Sequence, residues 1–189
     1  WPHGRYRFDF TGEANHAGST RMADRKDPML TYAMTALAAN KQARLVDERA
    51  AVGRLEVAPN GTNAVPSRVS AWLDARASST ESLDELVDVI SRQARERADR
   101  DGTGLSVTAE SVSDPVTFDP ALVGRDDWPV IPTAAGHDAG ILSAAGIPTA
   151  MLFVRNPTGI SHSPEEHAEV PDCLAGVHAL ADTLERLAT

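Results

Sequence analysis

The nine residues Arg68–Arg76, RVSAWLDAR, predict a strand. Apolar side chains at Val69, Ala71 and Leu73 alternate with larger or polar ones such as Trp72, which is the two-residue period of a strand with one buried face. The polar segment that precedes this stretch contains proline and glycine, so it predicts a turn that connects it to an earlier strand.

The segments on either side extend this pattern into a complete order of elements. RYRFDF, residues 5–10, and AVGRLEV, residues 51–57, also alternate, and so does LSVTAESV, residues 105–112. Helical patterns occupy the two longer gaps, one beginning at Asp27-Pro28 and the other near Ser82. The order β-α-β-β-α-β predicts an α/β (α+β) unit of the ferredoxin-like type, which implies no function by itself.

Both helices carry apolar stripes that we expect to face the sheet. In the first helix the stripe consists of Leu30, Ala33, Met34, Leu37 and Ala38. In the second helix it consists of Leu83, Leu86, Val87, Ile90 and Ala94. Ser82 and Glu85 have the spacing of a capping box, which predicts that the second helix begins there and ends near Gly102.

The chain changes character after Phe118, so we expect two domains, residues 1–118 and 119–189. GHDAGILSAAG, residues 136–146, predicts a short helix, and DCLAGVHALADTLERLA, residues 172–188, predicts a longer one. Between them, the apolar run PTAMLFV, residues 148–154, is typical of a parallel strand buried on both faces. About 70 residues are a thin basis for an independent core, so the tail resembles the end of a larger α/β domain.

Composition excludes several classes of partner. The formal charge is −9, from 18 basic and 27 acidic residues, and such a chain repels nucleic acid and anionic membranes. No apolar run approaches the roughly 20 residues of a membrane span. Cys173 is the single cysteine, so no internal disulfide forms, and we expect a cytoplasmic location.

Five residues are candidates for chemistry, and each also has an ordinary structural explanation. His16 and Asn63 lie in small-residue or turn segments, and an imidazole there is able to donate to a developing oxyanion. Arg76 ends a strand, where its planar guanidinium is suited to a carboxylate or to a salt bridge. Gly136 precedes a helix start, where backbone N–H groups bind anions. His162 follows the apolar run and is able to bind zinc or manganese.

His162 and His167 do not form a metal motif by themselves. They lie five residues apart, whereas the helical zinc motif needs a spacing of four to bring both rings to one face. Pro164 also interrupts the segment. A metal bound by His162 therefore needs ligands from elsewhere.

Four segments in order resemble the zinc- or manganese-dependent amidases that include N-carbamoyl-L-amino acid hydrolase, allantoate amidohydrolase and β-ureidopropionase. They are GEANHAGSTRMADRKDP, VAPNGTNAVPSRVSAWLDAR, AAGHDAG and MLFVRNPTGISHSPEEH. In that family the β-α-β-β-α-β unit is a lid and dimerisation domain, inserted into a metallopeptidase-like α/β catalytic domain. The resemblance implies that residues 1–118 are this lid and that residues 119–189 are the C-terminal part of the catalytic domain.

The resemblance also implies roles for the five candidates. His162 corresponds to the last metal-ligand histidine, and His16 corresponds to the lid histidine that polarises the scissile carbonyl in the partner subunit's site. Asn63 and Arg76 correspond to residues that hold the substrate carboxylate, and Gly136 to a glycine whose backbone contacts substrate. The implied cofactors are two divalent ions, zinc or manganese, and the implied assembly is a homodimer acting on a small-molecule carboxylate.

The N-terminal half of the family, with the other metal ligands and the glutamate general base, has no counterpart in these 189 residues. We therefore expect a C-terminal portion of a hydrolase that binds no metal and is inactive by itself. Two alternatives stay open. One is a related metallopeptidase or acyl-amino-acid hydrolase, and the other is a non-catalytic dimerising or ligand-binding module that lacks the metal domain.

Overall fold

The computed structural model describes residues 1–122 and 128–188. The chain divides into two compact units. The first unit is Trp1–Pro115 together with Thr133–Ala135, and the second is Val116–Pro132 together with Gly136–Thr189. The domain boundary expected between residues 118 and 119 stays a prediction.

The first unit is a four-stranded antiparallel sheet with two helices. Its elements are β1 (His3–Thr11), β2 (Asn15–His16), α1 (Pro28–Leu45), β3 (Arg49–Ala58), β4 (Ala64–Val65), β5 (Arg68–Arg76), α2 (Thr80–Asp101) and β6 (Gly104–Ser113). The sheet order is β3-β5-β1-β6, and β2 pairs with β4 in a separate two-stranded ribbon. The four long strands and two helices have the predicted β-α-β-β-α-β order, so the ferredoxin-like prediction is confirmed.

The core lies between the sheet and the helices, as the alternation along β5 predicted. Val69, Ala71 and Leu73 are buried, and they pack with a larger cluster. The largest members of that cluster from other elements are Phe8, Phe10, Leu83 and Ile90. Burial of each such large apolar side chain stabilises the fold by about 1.5–3 kcal/mol.

The predicted buried face of α1 is wrong. Leu30, Met34 and Leu37 are 46%, 44% and 66% exposed, and the face that packs inward is narrower and made of small side chains. Those buried residues are Pro28, Thr31, Thr35, Ala39 and Ala43. The Thr31 hydroxyl donates to Asp101 and contacts the Thr103 hydroxyl, and the Thr35 hydroxyl donates to the Thr31 carbonyl, so both threonines enter the core without an unpaired polar group. A larger apolar stripe is therefore left on the outside of α1.

The second helix begins at Thr80, whereas the sequence predicted Ser82 as the residue that caps its N-terminus. Ser79 is the N-cap of α2, and its hydroxyl oxygen accepts a hydrogen bond from the N–H of Ser82 at 3.1 Å. Ser82 is therefore already inside the helix, and the predicted capping box is wrong. The helix ends as predicted at Gly102, whose φ of +66° suits glycine.

The second unit contains two helices, α3 (Asp138–Ala144) and α4 (Val170–Ala188), as predicted. The strand predicted for residues 148–154 is wrong, because no strand is present there. Leu152, Phe153 and Val154 are 37–46% exposed. A strand buried on both faces needs pairing partners, and the described part of this unit contains no other strand. Within the described residues, neither these helices nor those of the first unit have the length and apolarity to cross a membrane.

Candidate functional site

His16 lies in β2, at the beginning of a loop that projects from the sheet. Its Nδ1 atom accepts hydrogen bonds from the N–H of Gly18 at 3.0 Å and from the N–H of Ser19 at 3.2 Å. A nitrogen that accepts in this way carries no proton, so the neutral ring has its proton on Nε2. The exposed ring is therefore arranged as a hydrogen-bond donor.

Asn63 is brought next to His16 by the small β2–β4 ribbon. His16 pairs with Ala64, and the Asn63 carbonyl accepts a hydrogen bond from the N–H of Ala17 at 2.8 Å. The Asn63 side chain is exposed. A donor imidazole and an amide thus lie on neighbouring backbone segments at one end of the sheet.

Arg76 lies at the opposite end. It is the last residue of β5, whereas the β2–β4 ribbon adjoins the first residues of that strand. The eight steps from Arg68 to Arg76 correspond to about 27 Å in an extended strand. Within one copy of the chain, Asn63 and Arg76 therefore do not reach the same carboxylate.

The guanidinium of Arg76 is held on two sides. Asp74 accepts from Nε at 2.7 Å and from Nη2 at 3.1 Å, and the Ala134 carbonyl accepts from Nη1 at 2.7 Å. The hydrogen bonds to Asp74 raise the pKa of Arg76 above its ordinary value, against the opposing effect of burial. A guanidinium has five N–H donors, so two remain for a ligand.

Gly136 lies in the second unit, two residues before α3. It is exposed, and a side chain added there meets no atom within 4 Å. His137 occupies the N-cap position without a side-chain hydrogen bond. Its ring lies edge-on to the ring of Phe153, with 6.2 Å between the ring centroids. Backbone at Gly136 is thus accessible to a ligand.

His162 has an unusual backbone conformation, with a φ of +59°. Glu166 accepts hydrogen bonds from the N–H of His162 at 3.0 Å and from the hydroxyl of Ser161 at 3.2 Å, so its carboxylate fixes the turn. A non-glycine residue in this region is strained, and here the Glu166 contacts support it. The exposed His162 imidazole is a suitable ligand for a transition metal.

A complete metal site does not form around that ligand. Across residues 1–122 and 128–188, no three His, Cys, Asp or Glu side chains are grouped so as to hold a metal ion. His167, the nearest other histidine in sequence, faces Glu169 at 3.1 Å. The residues present therefore fit one ligand of a metal centre and not the whole of it.

Three supporting residues were missed by sequence reasoning. Asp74 orients Arg76, Glu166 supports His162, and Arg25 donates to the carbonyls of the His16 loop. Only Asp74 carried a signal in the sequence, because a carboxylate two residues before an arginine lies on the same face of a strand. The other two depend on how loops fold, which has no simple period.

The chain spans about half the length of the curated relatives it matches. It is 29% identical to allantoate amidohydrolase of Escherichia coli (strain K12), over 97% of this chain and 47% of that protein. It is 31% identical to N-carbamoyl-L-amino acid amidohydrolase of Geobacillus stearothermophilus, over 96% of this chain and 47% of that protein.

Solved structures that superpose on this chain are also about twice its length. AtUAH in complex with glyoxylate superposes with a TM-score of 0.88 at 25% identity, over 98% of this chain and 47% of that chain. A hydantoinase/carbamoylase family amidase from Burkholderia vietnamiensis superposes with a TM-score of 0.87 at 28% identity, over 96% and 46% of the two chains. Because the family profile described as peptidase family M20/M25/M40 matches residues 13–186, the chain belongs to that family.

Proposed function

We propose that this chain is the lid and the C-terminal catalytic part of a metal-dependent amidohydrolase that cleaves C–N bonds of N-carbamoyl-L-amino acids or related ureido acids. The observation that carries the proposal is the geometry of His16, an exposed imidazole whose Nδ1 is occupied and whose Nε2 is left to donate. Relatives named for allantoate and for N-carbamoyl amino acids favour this substrate class.

In this proposal His16 stabilises the oxyanion. Attack on the carbamoyl or amide carbon places negative charge on the carbonyl oxygen, and the Nε2 proton of His16 donates to that oxygen. One such preorganised donor is typically worth roughly 3–4 kcal/mol of transition-state stabilisation. Asn63, on the neighbouring segment, orients the substrate beside it.

Arg76 holds the substrate carboxylate through its two remaining N–H donors. Gly136, in the second unit, is proposed separately to contact substrate through its backbone. Because Arg76 lies about 27 Å along β5 from the end that carries Asn63, one copy cannot supply both residues to one substrate. We therefore infer a composite site, in which one copy of the lid provides His16 and Asn63 and the other copy provides Arg76.

Self-association through the lid makes such a site feasible. The outer face of α1 exposes Leu30, Met34 and Leu37, and a contiguous apolar surface of this kind is typical of an interface. Among the strands that the structure describes, β3 pairs only with β5 and is therefore at an edge of the sheet. A second copy that packs on this surface is the proposed partner, and neither nucleic acid nor a membrane is expected for a chain of charge −9.

Members of the family are generally metal-dependent, and we propose zinc or manganese here. His162 would supply one imidazole, and we expect the remaining ligands and the general base in the half of the relatives that this chain does not span. The metal would activate the attacking water. Every role assigned above to His16, Asn63, Arg76 and Gly136 concerns binding or orientation and needs only this chain's own residues.

A non-catalytic role is the second candidate. It is favoured by one observation, the lack of a grouped metal-ligand set within the described residues. A metallopeptidase or acyl-amino-acid hydrolase with the same architecture is distinguished only by its substrates. Cys173, the single cysteine, supports a cytoplasmic location for either kind of protein.

The test is a chimera that joins this chain to the N-terminal half of the Geobacillus stearothermophilus relative. We expect hydrolysis of N-carbamoyl-L-amino acids or allantoate in the presence of manganese or zinc, and little activity on dipeptides or N-acyl amino acids. A matched chimera with His16→Gln should lose roughly 100-fold or more in kcat. A folded, metal-loaded chimera with no hydrolysis of any of these substrates would favour the non-catalytic module.

A further inference from the structure

We infer that Arg25, together with the backbone N–H groups of Gly18 and Ser19, is a positioning device that holds the His16 ring with its proton on Nε2. This inference deepens the proposed function and rests on it for its catalytic meaning. It assigns a role to a residue that the substrate and the metal are not expected to touch.

The first observation is the direction of the hydrogen bonds at the ring. The N–H groups of Gly18 and Ser19 both point at Nδ1, at 3.0 and 3.2 Å. A proton on Nδ1 would face two other donors, so this arrangement selects the tautomer that donates from Nε2. A side chain at Gly18 would approach Cε1 of His16 to 3.2 Å, so glycine leaves room for this contact.

The second observation is the network around Arg25. Its Nη2 donates to the Ala17 carbonyl at 2.6 Å and to the Thr20 carbonyl at 3.1 Å, and its Nε donates to the same Thr20 carbonyl at 3.2 Å. These two carbonyls bracket Gly18 and Ser19. Arg25 therefore fixes the peptide segment whose N–H groups face His16.

The third observation is how Arg25 is paired. Among the described residues, its half-buried guanidinium has no carboxylate within ion-pair distance, although other arginines of the chain pair with Asp or Glu. Its donors are directed at peptide oxygens of the loop instead. Thr20 adds two hydrogen bonds to the His16 carbonyl, at 3.1 Å from its N–H and 2.8 Å from its hydroxyl.

This arrangement matters because a preorganised donor needs no rearrangement when charge develops on the substrate. A free loop histidine would exchange tautomers and directions, and only a fraction of its population would be competent to donate. By fixing the loop, Arg25 raises the fraction of His16 rings that are ready to donate from Nε2, without contacting the substrate.

The experiment uses imidazole ¹⁵N spectra and amide hydrogen exchange of the 189-residue chain, at a fixed pH well above the ordinary histidine pKa of about 6.5. The His16 signals are assigned by their loss in His16→Gln. We expect an unprotonated Nδ1, a protonated Nε2, and slow exchange of the Gly18 and Ser19 amides. Arg25→Ala should accelerate exchange of both amides about tenfold and shift the His16 signals toward those of a solvent-exposed histidine.

The matched control is Arg21→Ala. Arg21 lies on the same loop, and its replacement by alanine removes the same charge. Among the described side chains, its guanidinium pairs with Asp24 at the surface and does not donate to the loop carbonyls. This variant should therefore leave the amide exchange rates and the His16 signals unchanged. Arg25→Lys keeps the charge without the planar donor set and should fall between the two. Exchange of core amides in α2 should be the same in every variant, which separates positioning from loss of the fold.

A protonated Nδ1 in the unmodified chain, or equal effects of Arg25→Ala and Arg21→Ala, would overturn the inference. Its failure differs from failure of the proposed function. If His16 has the expected tautomer but His16→Gln leaves the chimera fully active, the oxyanion role is wrong while the positioning device stands. If the chimera depends on His16 but Arg25→Ala leaves both ring and amides unchanged, only the device is wrong.

Discussion

Asp74 and Arg76 lie two residues apart on one face of β5, and their side chains form a two-bond pair through Nε–Oδ1 at 2.7 Å and Nη2–Oδ2 at 3.1 Å. This pair uses the side of the guanidinium, and the Ala134 carbonyl takes one N–H of Nη1. Three of the five N–H donors are thus used and two remain for a ligand. Hydrogen bonds from a guanidinium to a carboxylate are charge-assisted and therefore among the stronger ones in proteins.

Replacement of Arg76 by lysine should therefore cost far more than the unchanged charge suggests. In the chimera described above, we expect Arg76→Lys to lower kcat/KM about 10- to 100-fold, because charge-assisted hydrogen bonds contribute about 1.5–3 kcal/mol. Steady-state kinetics with an N-carbamoyl-L-amino acid measures this. Arg68→Lys, at the other end of the same strand, is the control and should change kcat/KM little. If Arg76→Lys leaves kcat/KM unchanged, Arg76 acts only in the ion pair at the end of the strand.

The exposed face of α1 predicts self-association. Leu37 is 66% exposed, and Leu37→Asp should shift the chain toward monomer because it places a charge in an apolar contact. Sedimentation velocity at several concentrations is the measurement. Val112→Asp, on the exposed apolar surface of the opposite edge strand β6, is the control and should leave the association unchanged. A chain that is monomeric at every concentration would contradict the proposed interface.

Asp9 should make stability depend on pH in a defined window. Burial raises the pKa of Asp9, but hydrogen bonds from Ser70 and Arg7 outweigh it and hold that pKa below its usual range. A carboxyl whose folded-state pKa is depressed stabilises the fold above the unfolded value of about 3.9. That contribution is lost as the pH falls through the folded-state pKa.

We therefore expect Asp9→Asn to destabilise the chain at neutral pH and to have a progressively smaller effect below about pH 4. Urea unfolding at pH 7 and at successively lower pH values measures the difference. Asp24→Asn, which removes a half-exposed surface carboxylate, is the control and should show little effect at either end of the range. An Asp9→Asn effect that is constant with pH would mean that the carboxylate charge does not carry the stabilisation.

Purified, untagged chain should contain no stoichiometric zinc or manganese and should not hydrolyse N-carbamoyl amino acids. A catalytic zinc site takes three protein ligands, and in the proposed assignment His162 supplies one of them. Elemental analysis measures the metal, with His162→Ala as the control that should give the same background value. Stoichiometric metal that disappears in His162→Ala would show that this chain completes a site from its own residues.

The core of the first unit was predictable because β5 has one buried face. Val69, Ala71 and Leu73 therefore have to alternate with outward-facing residues, and the period is visible without any knowledge of neighbours. The face of α1 was not predictable in this way. Its Leu30–Met34–Leu37 stripe is the more apolar one, but Thr31 and Thr35 pack inward. Thr31 donates its hydroxyl to Asp101, a partner 70 residues away, and Thr35 donates to the Thr31 carbonyl.

The candidate site was predictable only in its residue types. A histidine in a small-residue loop and an arginine at a strand end are visible in sequence. The distance between Asn63 and Arg76 is not, because it depends on Asn63 preceding β5 and Arg76 ending it. The strand expected at residues 148–154 failed for a related reason. Its apolar run specifies burial, but a strand also requires partners whose positions its own sequence does not encode.

The loop that carries His16 begins and ends at almost one point. The N–H of Gly12 donates to the Ser67 carbonyl at 2.8 Å, and the N–H of Glu13 donates to the Lys26 carbonyl at 3.0 Å. A side chain at Gly12 would lie 2.2 Å from the Lys26 oxygen, so only glycine permits this closure. The segment is thus a loop closed at a narrow neck, and within it β2 is also held by its pairing with β4.

A loop closed in this way is able to change in length without disturbing the sheet. Residues inserted or removed outside the β2–β4 pairs change the loop around the imidazole, while the register of β1 and the N-terminus of α1 stay fixed. Each doubling of loop length costs only about 0.6 kcal/mol in closure entropy. The neck at Gly12 and Lys26 is therefore a natural place to graft loops of other lengths, provided that they keep the β2–β4 pairing.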